Sequence, residues 1–489
     1  MRTGSLGAAM PVDAARLERT LNPRTVVVVG DKGPNYNWLN NQKGFTGNLY
    51  SVQVDAKEVD GIVERGFTNF ARLADVPGPI DLVICVVPRQ VTPRIIADAA
   101  ALDVAGVAMF TAGFAETKEA TGIELQHQIV EIATNAGMAI VGPNCMGVYN
   151  RQLGVKFSAE METGDRGNVS FISQSGSMAM ALTSESQKAG LKIGRAISSG
   201  NACVVNEADY LEYLAGDPDT EYIGLYLEGV QEGQRFFRVL RETTRIKPVV
   251  IFKGGSTEPG ARATDSHTGA LGTPHRVWES MVRQAGAVPV VTRDELIDTL
   301  QALVRAPAAP GRSMALIAGS GGNSVAIGDA AGRAGLEAAA LSDDSNAQLG
   351  EFFNTIGGTF ANPFDVGFTI GNSGSADNLP RILDILGTDP SVDGVLYDFG
   401  TGSIHHVAND EAFERILGRL EAFVQQYQKP ILFTCDPRNN AKTYEAARNG
   451  LLTRGFPVFT SFDRAAQAYA HATEYWTNRR DRERWAATS

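Results

Sequence analysis

The stretch of this chain with the most chemical potential is D-S-H-T-G-A-L-G, Asp265 to Gly272. It sets His267 among small and polar residues, so the imidazole can be approached from several sides. Neutral imidazole is nucleophilic near neutral pH and can take and return a phosphoryl group. K-P-V-V-I-F-K-G-G, Lys247 to Gly255, reads as a buried strand ending in glycines and comes shortly before. The pattern predicts a flexible loop carrying His267 beside a strand end. A surface histidine without a role has the same local sequence. Y-I-G-L-Y-L-E-G-V, Tyr222 to Val230, predicts a strand closing on Glu228, a carboxylate able to orient His267 and stabilise its charged states. A solvated glutamate at a strand end is the alternative.

Two turns offer anion sites. The first, Ser173 to Gly176, lies between a strand and a Met- and Ala-rich helix. Backbone N–H groups at that helix start, with the hydroxyls of Ser173, Ser175 and Ser177, can hold a phosphate around Gly176. A plain serine N-cap is the competing reading. The second turn, Gly319 to Ser324, repeats the pattern with Gly321, Gly322 and Asn323. Two helix N-termini aimed at one phosphohistidine would neutralise much of its charge without a metal. No metal site is expected. His405 and His406 are adjacent and point in divergent directions, with only Asp410 nearby as a third ligand, so a polar loop is the default there.

The elements that must position these residues form three α/β segments, within 489 residues expected to hold about three domains. In the first, residues 1–150, T-V-V-V-V-G (Thr25 to Gly30) is a strand buried on both faces. Further strands are predicted at Asn48–Val54, Asp81–Val87, Ala105–Phe110 and Met138–Gly142, with helices at Val91–Leu102 and Gly122–Ala136. This alternation predicts a Rossmann-type parallel sheet, with ligands outside the carboxyl ends of its strands. The turn Gly30 to Asn37 lacks G-x-G-x-x-G, and only Asp55 comes near the ribose-binding position. A phosphate-bearing ligand other than a dinucleotide fits it better. The second segment is 151–307. Ala306 to Arg312, rich in proline and glycine, reads as a linker. The third segment is 312–480, with strands at Gly394–Phe399 and Pro430–Cys435.

Composition narrows the classes. A net charge of −11 without a dense Lys/Arg run excludes a general nucleic-acid binder. Four cysteines form neither a C-x-x-C pair nor a disulfide framework, which suits a reducing cytoplasm. No apolar run approaches a bilayer span, and no signal-peptide core follows the N-terminus. The expectation is a cytoplasmic protein with no membrane association.

With these residues in view, the chain resembles the nucleoside-diphosphate-forming acyl-CoA synthetases, relatives of the succinyl-CoA synthetase α subunit, from about Leu21 to Trp476. The motifs that carry the resemblance are S-H-T-G-A-L (Ser266 to Leu271), G-P-N-C-M-G (Gly142 to Gly147) and I-S-Q-S-G (Ile172 to Gly176), with S-S-G-N (Ser198 to Asn201) and the Glu228 strand end. The resemblance implies an α/β chain, a Rossmann-type CoA-binding domain followed by two flavodoxin-like ligase domains. It implies that His267 is the phosphorylated residue and that Glu228 holds it near the CoA site. Ser175, Gly176 and Ser177 would cradle the phosphate from one domain, and Gly321, Gly322 and Asn323 from another. Gly30, Val87, Pro88, Thr111, Gly113 and Asn144 would line the CoA groove. The implied reaction is acid + CoA + ATP to acyl-CoA + ADP + phosphate, through a phosphohistidine and an acyl phosphate.

Two features depart from the family. Nothing matches its ATP-grasp domain, so ATP and Mg are expected on a partner chain, an ATP-grasp β subunit, in an α2β2 assembly or beside a homodimer of this chain. The loop D-K-G-P-N-Y-N-W also replaces the usual serine- and glycine-containing turn. The alternatives on the same scaffold are a CoA-binding regulatory subunit and an acyl- or carbamoyl-phosphate transferase. The carboxylic acid substrate is not specified by the sequence.

Overall fold

A computed structural model describes residues 12–267, 275–308, 311–370, 375, 377–399, 410–437 and 441–488. The chain divides into two compact units, Met1–Arg293 and Asp294–Ser489. Unit 1 holds two sheets. In the first, β1 (Thr25–Val29), β2 (Asn48–Val52), β3 (Thr68–Phe70), β4 (Leu82–Cys85), β5 (Gly106–Met109) and β6 (Ala139–Val141) run parallel in the order β3-β2-β1-β4-β5-β6. That is the Rossmann order, with the reversal between β1 and β4. β1, β4, β5 and β6 are buried at every position. This is why Val26–Val29 and Leu82–Cys85 read as continuous apolar runs rather than alternating ones.

The second sheet contains β7 (Gly147–Asn150), β8 (Val169–Ser173), β9 (Ile193–Ser198), β10 (Tyr222–Leu227), β11 (Val249–Lys253) and β12 (Val288–Val290), in the order β12-β11-β10-β8-β9-β7. From β8 onward this is the flavodoxin order, with the reversal between β8 and β10. β7 is antiparallel and leads straight out of the first sheet's last turn into the edge of the second. The two sheets share one core, in which Val141 and Val148 belong with Ile172 and Ile197.

The sheets meet through backbone. Asn201 N–H donates to Pro143 O at 3.0 Å and Cys203 N–H to Gly142 O at 3.1 Å. Gly200 takes φ +53°, and a Cβ there would lie 2.5 Å from Asn144 O and closer still to Pro143 O. Only glycine fits so near a backbone oxygen in that conformation.

Unit 2 has one sheet, of β13 (Ser313–Ala318), β14 (Glu337–Ala338), β16 (Gly394–Asp398), β17 (Ile431–Thr434) and β18 (Val458–Phe459), in the order β14-β13-β16-β17-β18. β15 (Phe364–Asp365) pairs with the end of β13. The order is again flavodoxin-like. The helix Arg293–Arg305 packs into this unit although it precedes the proline-rich Ala306 to Arg312 stretch. Arg464 makes a two-pronged contact to Asp298 at 2.6 and 2.9 Å, and Val458 N–H donates to Gln301 Oε1 at 2.6 Å. The presumed linker therefore lies inside unit 2, where Asp298 and Gln301 of that helix find their partners.

The sequence predicts a loop from Asp265 onward, but the backbone is helical over Glu258–His267. Pro259, at the start of the helix, is pre-set for its first turn. The remainder of the histidine segment, 268–274, lies outside the described residues, as do His405 and His406. Among the described residues no helix is long and apolar enough to cross a membrane.

Two outcomes follow from this packing. Gly200→Ala should lower unit 1 stability by about 3 kcal/mol through strain and overpacking, read as a lower Tm; an unchanged Tm refutes the backbone seam. Burial pushes the thiols of Cys85, Cys145, Cys203 and Cys435 up to about 12. Iodoacetamide in mildly alkaline buffer should therefore leave all four unlabelled in the folded chain and label them on unfolding. Rapid labelling of any one of them in the native state contradicts that burial.

Candidate active site

The candidate residues gather at the three places where strand order reverses, outside the carboxyl ends of the strands. At the β1/β4 reversal a cavity of about 410 Å³ opens. Gly30, Val87, Val91 and Ile95 line it together with Val54 and Arg94. Gly30 has φ +86°, and a Cβ there would press 2.5 Å from a Val87 methyl, so the chain passes close beneath the groove only as glycine. Val54 and Val91 are exposed apolar groups on the rim. Arg94, also exposed, has no carboxylate within ion-pair reach among the described residues.

Beside it the ends of β4, β5 and β6 are tied together by backbone. Thr111 Oγ1–H donates to Val87 O at 2.7 Å, and Asn144 N–H donates to Thr111 O at 3.0 Å. Gly113 lies against the Arg89 side chain, whose guanidinium donates to Gly113 O at 2.7 Å. Val87, Pro88, Thr111, Gly113 and Asn144 thus form one continuous wall, with the Asn144 side chain exposed. Glu116 fastens this wall to the second sheet. It accepts from Gly113 N–H at 2.6 Å, Phe114 N–H at 3.1 Å and Asn201 Nδ2 at 2.6 Å.

The loop after β1 behaves differently. Two of its N–H groups donate to carboxylates, Lys32 to Asp31 at 3.0 Å and Gly33 to Glu58 at 2.7 Å, and Asp31 also accepts from Leu39 N–H of the next helix at 2.8 Å. Burial raises the Asp31 carboxyl above its usual range. The loop is closed on itself by acidic side chains rather than open toward an anion.

At the β8/β10 reversal Ser175 caps the helix Gly176–Lys188, accepting from Met178 N–H at 3.4 Å. Its hydroxyl lies 3.1 Å from that of Ser177. The open N–H groups and two hydroxyls at this end favour an anion. Gly176 abuts Met146, a Cβ there lying 2.9 Å from Met146 Cγ, so the G-P-N-C-M-G turn of the first sheet borders this helix start. Gln174 joins the helix start to Glu228. Its Oε1 accepts from Glu228 N–H at 2.6 Å and Gly229 N–H at 3.1 Å, and its Nε2 donates to Gly229 O at 2.9 Å. The half-buried Glu228 carboxylate accepts from Tyr226 O–H at 3.1 Å, and burial raises the Tyr226 phenol, so it stays a donor. Gln174, the residue before Ser175, thus ties the start of this helix to the backbone of Glu228. His267 ends the helix Glu258–His267, which folds back on Gly255, but its side chain lies outside the described residues.

The helix Gly321–Arg333 of unit 2 is capped by Ser320, with Asn323 N–H donating at 3.4 Å. Asn323 Nδ2 donates to the buried Asp398 at 2.7 Å, and Asp365 lies 3.4 Å from where a Gly321 Cβ would be. Two carboxylates thus border Gly321, Gly322 and Asn323. Among the described residues no three His, Cys, Asp or Glu side chains converge as a metal site. Cys145 is inert, its thiol directed at Val141 O at 3.2 Å.

Sequence reasoning missed Gln174, Glu116 and Tyr226. Gln174 sits inside the S-Q-S-G turn, but nothing in its neighbours tells that its amide reaches a strand more than fifty residues away.

Residues 24–151 match the family described as a CoA binding domain, and residues 166–303 match the succinyl-CoA ligase like flavodoxin domain. Over 384 residues the chain is 33% identical to the acetate–CoA ligase [ADP-forming] I of Archaeoglobus fulgidus, covering 78% of this chain and 54% of that protein. It is 32% identical to the alpha subunit of acetate–CoA ligase [ADP-forming] II of Pyrococcus furiosus, covering 77% of this chain and 81% of the relative. A crystal structure of a Pyrococcus horikoshii protein superposes with a TM-score of 0.79 at 27% identity, over 94% of this chain and 99% of the other. With a Rossmann-ordered CoA-binding sheet feeding a succinyl-CoA ligase-like flavodoxin sheet, the chain belongs to the ADP-forming acid–CoA ligases.

Proposed function

We propose that this chain is the α-type component of an ADP-forming acid–CoA ligase, with His267 as its phosphoryl carrier. The observation that carries the reading is the joining of the Ser175–Ser177 helix start to Glu228 through Gln174. An anion-binding N-terminus and a carboxylate able to hold an imidazole are fixed within one hydrogen-bonded unit. In the direction of thioester formation the phosphohistidine gives its phosphoryl group to the acid. The CoA thiol then attacks the acyl carbon, and phosphate leaves with the electron pair of the broken C–O bond. The Ser175, Gly176 and Ser177 N-terminus holds the phosphate during both steps. Glu228 accepts a hydrogen bond from the ring N–H of His267 and fixes its tautomer.

The groove from Gly30 past Val87, Pro88, Thr111, Gly113 and Asn144 suits CoA. It offers an apolar pocket for the flat base at one end, with Arg94 for a phosphate, and a backbone-lined path toward Gly176 at the other. The Gly30 to Asn37 loop contributes shape rather than phosphate contacts, because two of its N–H groups are committed to Asp31 and Glu58. A phosphate at Gly321, Gly322 and Asn323 would meet Asp365 and Asp398, so we assign that helix a phosphoryl group accompanied by its own cation. The Mg that travels with ATP on an ATP-grasp partner would supply it. The alpha-subunit name of one relative supports a separate partner chain; an α2β2 assembly and a dimer of this chain are the two arrangements to test. The relatives' names favour acetate-sized acids as the first to test.

The test is the reverse half-reaction, which needs no nucleotide. Incubated with inorganic phosphate and a panel of acyl-CoAs, the chain should gain the mass of one phosphoryl group, and His267→Ala should gain none. An adduct that persists in His267→Ala, or CoA binding with no adduct for any acyl-CoA in the presence of an ATP-grasp partner, overturns the reading. Separately, Arg94→Ala should weaken CoA binding by about 10-fold, about 1.4 kcal/mol. Calorimetry showing unchanged affinity removes Arg94 from the site.

A further inference from the structure

Lys253, the last residue of β11, carries a buried charge that the reaction as described leaves unused. Its side chain is 7% exposed, and Nζ lies 5.9 Å from the centre of the Trp278 ring. Two of the three ammonium protons are placed, with Nζ donating to Glu228 O at 2.7 Å and Gly254 O at 2.6 Å. Among the described residues no carboxylate stands within ion-pair distance of it. A buried ammonium held only by carbonyl dipoles is costly to a fold, and apolar side chains of similar volume do the packing better. Burial accordingly lowers its proton affinity, while the charge of Glu228 works in the other direction.

Its two partners are the ends that matter. Glu228 is the carboxylate of the site, and Gly254 begins the stretch that leads to the helix Glu258–His267. Gly254 lies so close to Tyr226 that a Cβ would be 2.6 Å from the phenol oxygen, and Tyr226 O–H donates to Glu228. Lys253, Gly254, Tyr226 and Glu228 form a closed set of contacts, and its one fixed positive charge is Lys253.

We propose that Lys253 is the standing counter-charge of the phosphoryl-transfer site and the residue that sets Glu228 relative to the root of the His267 segment. The inference rests on the phosphohistidine reading. When acyl phosphate reacts in reverse, a ring nitrogen of His267 bonds to phosphorus as the bond to the acyl oxygen breaks. The electron pair leaves with the carboxylate, and the phosphoryl group brings its negative charge beside Glu228. The ring's other N–H stays in its hydrogen bond to Glu228. With its other N–H kept, the phosphorylated ring carries one positive charge between the two anions; Lys253 supplies the second, and a preplaced charge needs no reorganisation at that moment.

The test compares Lys253→Gln, which keeps a donor but no charge, Lys253→Arg, which keeps the charge, and Lys253→Met, which keeps neither. Each full-length variant is given inorganic phosphate and the acyl-CoA that best phosphorylates the unaltered chain, with Tm and CoA affinity measured alongside. Phosphohistidine formation should fall by about 100-fold in Gln and Met, with CoA affinity unchanged and Tm held or raised, and Arg should recover most of it. Full phosphorylation of Gln or Met, or Arg no better than Gln, overturns the inference. So does a Tm that falls in all three variants in step with the yield, which would make Lys253 a packing residue only. If the unaltered chain binds CoA but forms no adduct even with an ATP-grasp partner present, the phosphohistidine reading fails and this one with it. An adduct that survives Lys253→Gln removes this inference alone.

Discussion

The contact on which the rest of unit 1 depends is the backbone seam between the Gly142 to Asn144 turn and the Gly200 to Cys203 turn. Two sheets with different strand orders each present a reversal point, and a reversal point by itself only makes a crevice. The seam, with Asn201 and Cys203 donating to Pro143 and Gly142, brings the two crevices onto one surface. Met146, in the turn that ends the first sheet, then lies against the helix start at Gly176. The seam's geometry leaves no room for a side chain at Gly200, so the alignment of the two chemistries rests on one residue's lack of a Cβ.

Around that seam, hydrogen bonds couple residues that would otherwise be independent. Glu116 takes three donors, two from its own loop and one from Asn201 across the seam. Gln174 satisfies both N–H groups after β10 with one amide oxygen. Each is a multi-centre contact in a partly desolvated place, where an unmade hydrogen bond costs more than a made one contributes. The site is therefore stiff where phosphate and CoA must be held. The histidine is attached through Gly254, Gly255 and a helix of ten residues, an arm distinct from that rigid frame.

The electrostatics are arranged economically. In the proposed site anion binding falls to a helix N-terminus. The acidic groups nearby are either committed, as Asp31 and Glu58 are in the first loop, or balanced by Lys253 behind Glu228. The net charge of the chain is strongly negative, and yet the end of β8 presents N–H groups and hydroxyls, with a buried ammonium behind the end of β10.

Much of this was legible from residue order alone. The all-buried strands β1 and β4 announce a parallel sheet because both faces must be apolar, and their alternation with helices leaves few possible topologies. Ser175, Gly176 and Glu228 could be picked out because the residue after a strand's carboxyl end has a predictable place. What local sequence could not supply was anything fixed by partners far along the chain. The Arg293–Arg305 helix belongs with unit 2 because Asp298 meets Arg464 and Gln301 meets Val458, pairs separated by more than 150 residues. That Glu58, from the helix after β2, accepts from Gly33 N–H in the Gly30 to Asn37 loop was likewise not legible locally. Lys253 lies in a stretch that read as a buried strand ending in glycines, and only the folded structure shows it buried with no carboxylate within ion-pair distance among the described residues. Local propensity and periodicity determine which elements form. Hydrogen-bond satisfaction and charge compensation between distant segments decide which of their polar residues are left available for chemistry.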